Sequence, residues 1–277
     1  MFLRKLKVFF KNLIIEHIAD IKPQEIKYEI KNIGSKYGGW VIALTPTLKN
    51  SFIISCGAGE DISFDIEVAS LFNAKLIIVD PTPRSKVHLE GVLKRFENYQ
   101  NLEPTESGSV YLNPFSYDLT KISKEQIIYI NKAIWEKEEK VKFFVPPNPE
   151  HISFSIVDYQ NNFSQEGEFI YVDTTRYENL LKLIKDKKTP EILKLDIEGA
   201  EYNVIDDVIN YQLPNQILLE YDELSNFSLS IIKRVKKTHQ KLLKEGYILF
   251  SKEKSNFSYL RNNLEKKIIN QCPEANL

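Results

Sequence analysis

The sequence has little cysteine, and neither sign of charge is in excess. Cys56 and Cys272 are its two cysteines among 277 residues, which excludes a disulfide framework and favours a reducing, cytoplasmic location. Lys and Arg number 37 against 38 Asp and Glu, so there is no basic field to hold nucleic acid. Nucleic acid is therefore not an expected partner.

Long apolar runs are also missing. No stretch approaches the roughly 20 residues that cross a bilayer, and the N-terminus lacks the order of charged, apolar and small residues of a signal peptide. Its first fifteen residues instead combine apolar and basic side chains at helical spacing, which predicts an amphipathic helix. That helix either packs against the protein or makes a peripheral contact with a membrane.

An apolar run that ends in two glycines is the first motif with chemical meaning: Phe52-Ile-Ile-Ser-Cys-Gly57-Ala-Gly59-Glu60-Asp61. Asp80 follows about one βαβ unit later, at the end of the apolar run Ile77-Ile-Val. Glycines at a strand-to-helix turn let the backbone approach a ligand, and a carboxylate at the next strand tip can accept hydrogen bonds from both ribose hydroxyls. The spacing predicts a site for a nucleoside-containing cofactor.

Charge at this turn distinguishes between cofactors. Glu60 and Asp61 would repel the pyrophosphate of a dinucleotide, and Ile62 stands where the third glycine of the dinucleotide fingerprint belongs. S-adenosylmethionine carries an ammonium and a sulfonium and no phosphate, so nearby carboxylates favour it. The alternative is that Glu60 and Asp61 only reflect the acidic bias of a helix's first turn.

Strand and helix patterns alternate along most of the chain, which predicts a parallel α/β sheet. We expect strands near 52–55, 75–79, 110–112, 192–196 and 216–220, with a closing pair at 247–250 and 257–260. The alternation is interrupted at about 119–170. There Ser123 and Gln126 form a candidate capping box for a helix running toward Lys140, and a proline-rich loop, 145–151, follows.

Six blocks in collinear order resemble the FkbM-type methyltransferases, which use S-adenosylmethionine: Gly38-Gly39-Trp40, the run from Ser55 to Asp65, Asp80-Pro-Thr-Pro-Arg-Ser85, Pro147-Asn-Pro-Glu-His151, the run from Lys194 to Tyr202, and Gln216-Ile-Leu-Leu-Glu220. The resemblance implies the class I methyltransferase Rossmann-like fold: α/β, with a mostly parallel sheet, an antiparallel C-terminal strand and helices on both faces. We expect a helical N-terminal extension at 1–34 and this domain at 35–277, with an inserted helix and proline-rich loop at about 119–170.

The resemblance also implies roles for individual residues. Gly57 and Gly59 would pass beneath the methionine part of the cofactor, Asp80 would hold the ribose, and Ser116 or Asp118 would meet the adenine edge. Asp196 would face the amino group or the transferring methyl. The full expected cofactor set is Ser55, Gly57, Gly59, Glu60, Asp61, Asp80, Pro81, Ser116, Asp118 and Asp196.

Methyl transfer to a hydroxyl needs alignment and a base that accepts the proton. His151 is the favoured base because its proline-rich block should cover the strand ends and its ordinary pKa suits neutral pH; the alternative is a histidine that only shapes its loop. Asp196 and Glu198 are the rival catalytic candidates. Asp196, Glu220 and Asp222 could also gather around Mg²⁺, but no metal is expected from the spacing.

The expected function is therefore an S-adenosylmethionine-dependent O-methyltransferase. Its acceptor class, a hydroxyl of a sugar, glycan or similar small polar metabolite, comes from the resemblance. Two alternatives stay open: a catalytically inactive binding module that kept the fold, and a nicotinamide-dependent oxidoreductase. The oligomeric state does not follow from the sequence.

Overall fold

The computed structural model describes residues 21–97, 113–146, 154–157, 168–225 and 229–262. Its strands are β1 (Ile30–Ile33), β2 (Trp40–Ala43), β3 (Phe52–Cys56), β4 (Lys75–Val79), β5 (Ile127–Ile130), β6 (Ala133–Ile134), β7 (Lys140–Phe144), β8 (Phe169–Thr175), β9 (Ile192–Leu195), β10 (Gln216–Glu220), β11 (Tyr247–Glu253) and β12 (Asn256–Arg261). Its α-helices are α1 (Ser63–Phe72), α2 (Pro83–Lys94), α3 (Tyr177–Lys182), α4 (Glu201–Val208) and α5 (Leu229–Lys244).

Seven strands form the central sheet, in the order β11-β12-β10-β9-β3-β4-β5. The five strands from β10 to β5 run parallel to one another, while β12 is antiparallel to both of its neighbours, β10 and β11. The expected mixed α/β architecture, with a mostly parallel sheet and an antiparallel strand near the C-terminus, is confirmed.

The two faces of this sheet carry two separate hydrophobic cores. In β3, Ile54 packs in the core that includes side chains of α3, α4 and α5, whereas Ile53 packs in the core that includes side chains of α1 and α2. Successive strand residues point to opposite faces, so a strand covered on both sides must be apolar throughout. This is why β3 is a continuous apolar run, and why the helices lie on both faces.

The order of the strands reverses at β3. The chain goes from β3 to β4 on one side, and the strand on the other side is β9. A crevice opens at such a point because the connections on either side leave in opposite directions. The turn after β3 passes close to β9: Gly57 has φ 83° and a Cβ on it would lie 1.7 Å from the carbonyl oxygen of Asp196.

The prediction of a helix from Ser123 toward Lys140 is wrong. Its capping box is present, with Ser123 N–H donating to Gln126 at 2.9 Å, but it closes only a 3₁₀ turn. The chain then continues as β5, because Ile127, Ile128 and Ile130 favour a strand and pair with β4. Pairing with the edge of the sheet overrides the local helix signal.

Two smaller sheets accompany the central one. The strands β6, β8 and β7 form a three-stranded sheet, and β1 pairs with β2. Residues 30–33 of the expected helical extension are therefore strand, since β1 uses its backbone to bind β2. The amphipathic helix expected in the first fifteen residues and the strand expected at 110–112 lie outside the described residues. Within the described ranges, no helix has the length and apolar character required to span a membrane.

Replacing Gly57 with alanine should destabilise the protein strongly. A positive φ alone costs a residue with a Cβ about 1–3 kcal/mol, and here the Cβ would also overlap the Asp196 carbonyl. Urea denaturation followed by circular dichroism should show a lower free energy of unfolding. The matched control is Gly91→Ala in α2, where the new Cβ would meet only Pro114 side-chain atoms at 3.3 Å; an equal loss in both variants would contradict the assignment.

Candidate functional site

A cavity of about 230 Å³ lies at the carboxyl ends of the parallel strands. Its walls come from the glycine turn after β3, from the segments that follow β4, β9 and β10, and from the three-stranded sheet of β6, β8 and β7. This is the crevice that the reversal of strand order creates. The chain therefore brings together here residues that are far apart in sequence.

Asp80 organises the glycine turn. Its Oδ2 accepts hydrogen bonds from the N–H groups of Ala58 (2.8 Å) and Gly59 (2.9 Å), and its Oδ1 accepts from the N–H and the hydroxyl of Thr82, both at 2.7 Å. A carboxylate offers about four acceptor positions, and protein groups occupy that many. The side chain is buried, so Asp80 ties the end of β4 to the turn after β3.

Glu60 and Asp61 line the cavity, and each also has a partner in the protein. Glu60 forms an ion pair with Arg84 at 2.5 Å. Asp61 accepts from the Ser35 hydroxyl (2.6 Å) and from the Ser63 N–H (2.9 Å), which anchors the start of α1. The acidic helix-start interpretation is thus partly right for Asp61, and the negative charge of the cavity does not rest on these two residues alone.

Seven carboxylates line the cavity: Glu60, Asp61, Asp80, Asp196, Glu198, Glu220 and Asp222. Among the described residues that line the cavity, Lys194 is the one basic side chain. Its ammonium donates to the Gly57 carbonyl at 2.6 Å and lies 3.4 Å from Asp196. Burial alone would lower the pKa of Lys194, but nearby carboxylates outweigh it and raise that pKa.

Asp196, Glu220 and Asp222 form an acid corner. One carboxylate oxygen from each lies within 4.8 Å of the others, because β9 and β10 are parallel neighbours whose ends meet. Burial, followed by the charges of Asp196 and Asp222, raises the pKa of Glu220 to about 10. Burial also raises the pKa of Asp222 well above its ordinary value, reinforced by the charges of Glu198 and Asp196.

The turn after β9 holds Glu198 against this corner. Glu198 and Gly199 both have positive φ, 57° and 97°, a sharp reversal that brings the chain into α4. Glu201, fully buried at the start of α4, accepts the Ile197 N–H at 2.9 Å. The Ser155 hydroxyl donates to the Glu198 carbonyl at 2.6 Å, which connects the turn to the segment at 154–157.

Another part of the cavity lining is apolar. Ala133 and Ile134 of β6, Phe143 of β7, and Phe154 and Ile156 line it. The Phe143 and Phe154 rings are stacked, with centroids 5.9 Å apart. Since β6 follows β5 and the acid corner follows β9 and β10, Ala133 and Ile134 lie across the glycine turn from the corner. The segment of Phe154 and Ile156 is bonded through Ser155 to the Glu198 carbonyl. The cavity is suited to a ligand with one flat apolar part and one cationic part.

Eight of the sequence-predicted site residues line this cavity: Gly57, Gly59, Glu60, Asp61, Asp80, Pro81, Asp196 and Glu198. Three are not among its lining residues. Ser55 is buried inside β3, and Ser116 and Asp118 are exposed. Asp118 accepts hydrogen bonds from the N–H and the hydroxyl of Thr120. His151 lies outside the described residues.

The placement of Ser116 and Asp118 at the adenine edge needs correction for a topological reason. The strand beside β4 is β5, residues 127–130, and not a strand that ends just before Ser116. In the described part of the chain, the residues that follow β5 and line the cavity are Ala133 and Ile134. The run Ile127-Ile-Tyr-Ile130 indicates this strand in the sequence, but it lies within the segment that was predicted to be a helix.

Sequence reasoning gave no site role to Trp40, Lys194 or Asn256, all of which line the cavity. Trp40 and Lys194 belong to two of the six blocks that resemble the methyltransferase family. The Lys194 ammonium lies 5.6 Å from the centre of the Trp40 ring. Asn256 begins β12 and pairs with Glu220 across the antiparallel junction. Its position depends on a pairing between distant segments, which has no local signal.

Residues 35–249 match the family model described as the methyltransferase FkbM domain. Comparison with curated proteins and with solved structures gives no match. The matched range includes the glycine turn, Asp80, the run from Lys194 to Tyr202 and the acid corner, and it covers well over half of the 277 residues. The chain belongs to the FkbM methyltransferase family.

Proposed function

We propose that this methyltransferase uses S-adenosylmethionine and transfers its methyl group to a hydroxyl of a sugar, a glycan or a similar polar metabolite. The observation that carries the proposal is the cavity at the reversal of strand order, lined by seven carboxylates and one lysine among the described residues. This arrangement suits the Rossmann-like site of class I methyltransferases. The acceptor class rests on family membership.

The donor set of the cavity fits this cofactor. Carboxylates in a partly desolvated site attract a sulfonium and an ammonium, and the acid corner provides such carboxylates. A dinucleotide would place its pyrophosphate at the start of α1, where Glu60 and Asp61 line the cavity. The aromatic wall of Phe143 and Phe154 suits the adenine ring.

The structure changes the role that we assign to Asp80. Its oxygens already accept four hydrogen bonds from the protein, so its main task is to hold the glycine turn in shape. A ribose hydroxyl can reach Asp80 by replacing the Thr82 hydroxyl, since that bond comes from a side chain and not from the backbone. Asp80 thus supports the cofactor site from beneath.

When bound, the cofactor supplies an already activated methyl group. The remaining task of the protein is to align the acceptor oxygen and to accept its proton. Asp196 and Glu198 both line the cavity and are the carboxylates that we propose for this task. Glu198 is positioned by the tight turn and by Ser155.

Titration calorimetry should distinguish the proposed cofactor from a dinucleotide. S-adenosylmethionine should bind with a dissociation constant in the micromolar range, whereas NAD and NADP should give no binding heat at millimolar concentration, because their phosphates would meet carboxylates. Binding of NAD in preference to S-adenosylmethionine would contradict the proposal and favour the oxidoreductase alternative.

Replacing Asp80 with alanine should weaken S-adenosylmethionine binding about tenfold or more, because the lost bonds to Ala58 and Gly59 correspond to about 1–3 kcal/mol. The control is Asp118→Asn, which should leave the affinity unchanged since Asp118 is exposed and outside the cavity lining. Thermal melting of each variant separates loss of affinity from loss of folding. Equal affinity in the Asp80 variant and the parent would refute the assigned role.

Incubation with methyl-labelled S-adenosylmethionine and a panel of sugars and glycans should yield O-methylated product, detected by mass spectrometry. Glu198→Gln should lower kcat by about 10²–10⁴-fold if Glu198 accepts the proton, with cofactor affinity within about threefold of the parent. Cofactor binding without transfer to any acceptor would favour the inactive binding module. An unchanged kcat would instead leave Asp196 and His151 as candidate bases.

A further inference from the structure

The helix α5 carries charge of one sign. Its 16 residues include lysines and an arginine but no acidic residue, although the whole chain has 37 basic and 38 acidic residues. Residues three or four apart are neighbours on the surface of a helix, so the lysines share one side, which is exposed or partly exposed. This basic face consists of Lys233, Lys236, Lys237, Lys241 and Lys244.

The stability of the helix does not account for these charges. In α2, Lys86 forms an ion pair with Glu90, four residues later. In α5, the residue four positions after Lys233 is Lys237, and like charges at this spacing destabilise a helix. The helix dipole favours cations in the last turn, where two of the five lysines lie, but not in the earlier turns. The basic face is therefore a cost that an anionic partner would offset.

The protein itself neutralises little of this face. Within the described part of the chain, Lys241 is the lysine of the face that forms an ion pair, with Asp206 of α4. An apolar side chain lies beside the lysines: Leu243 is 40% exposed and follows Lys236 by two helical turns. Lysines next to exposed apolar surface suit the interface of a membrane better than they suit a polyanion in water.

The residues that precede Ile21 carry charge of the same sign. The first fifteen residues contain phenylalanines, leucines and isoleucines, and they contain no acidic residue. Their basic side chains are Arg4, Lys5, Lys7 and Lys11. Ile21 is buried in the core that includes the buried side chains of α5. The chain therefore enters the described structure on the face of the sheet that α5 covers, so both basic segments belong to that side.

We propose that the basic face of α5 binds the surface of a membrane that contains anionic lipids. Lysines attract anionic headgroups, and exposed apolar side chains enter the layer just beneath them. The net charge of −1 does not favour nucleic acid as the partner. None of the five lysines is among the residues that line the cavity, so binding at this face leaves the cavity accessible and does not depend on the identity of the methyl donor.

The test is sedimentation of the full chain with lipid vesicles. The protein should bind vesicles of phosphatidylcholine mixed with phosphatidylserine, and it should not bind vesicles of phosphatidylcholine alone. Raising the salt concentration should release part of the bound protein, because salt screens exposed charges. No binding to the anionic vesicles at low salt would overturn the proposal.

Reversing two charges of the face tests whether α5 is the site. Lys233→Glu combined with Lys237→Glu should weaken binding to the anionic vesicles at least about tenfold, because attraction is replaced by repulsion. The helix should still fold, since the second substitution places a carboxylate four residues before Lys241, a favourable spacing. Circular dichroism checks the fold; if this variant does not fold, Lys233→Gln combined with Lys237→Gln takes its place.

The matched control is Lys49→Glu combined with Lys121→Glu, which changes the net charge by the same amount. Both lysines are exposed, and their neighbours Leu48 and Ile122 pack in the core on the other face of the sheet. The control should bind the anionic vesicles with an affinity within about threefold of the parent. Equal affinity in the α5 variant and the control would overturn the proposal, and so would binding of single-stranded RNA without binding of vesicles. Calorimetry with S-adenosylmethionine on the same samples tests the proposed function separately.

Discussion

The contact between Asp80 and the glycine turn is the constraint on which the cavity depends. One carboxylate fixes the backbone of Ala58 and Gly59 and the start of the segment after β4. Gly57 then allows the turn to approach the end of β9 so closely that a side chain would not fit. These two features together hold the ends of β3, β4 and β9 around one crevice.

The same cavity concentrates a cost that the two hydrophobic cores must offset. Burial raises the pKa values of Glu220 and Asp222, which means that the folded protein disfavours their charged forms. Replacing such groups with apolar ones would generally relieve the folded state. Such groups at strand ends reduce the stability of the fold, as residues retained for a ligand site commonly do.

The sequence predicted the fold well where local pattern and tertiary environment agree. The apolar runs of β3, β4, β9 and β10 are strands because both faces of the sheet are covered, and the glycine turn lies where its spacing placed it. The prediction was wrong at Ser123, where a genuine capping signal precedes a β-branched run. Whether that run becomes helix or strand depends on an open sheet edge at β4, and this information is not local. Ser116 and Asp118 were expected at the adenine edge because they follow the strand predicted at 110–112, whereas the strand beside β4 is β5.

The amino-acid sequence by itself determined the parallel α/β class, the glycine turn, the acidic character of the site and the likeness to a methyltransferase family, because these depend on residue type and short spacing. The tertiary structure alone decided that Asp80 holds the turn with all of its acceptor positions, that the Lys194 ammonium reaches the Gly57 carbonyl, and that Glu220 and Asp222 complete an acid corner. Those contacts join residues separated by up to 137 positions in the chain, and only the pairing of strands brings such residues within hydrogen-bonding distance.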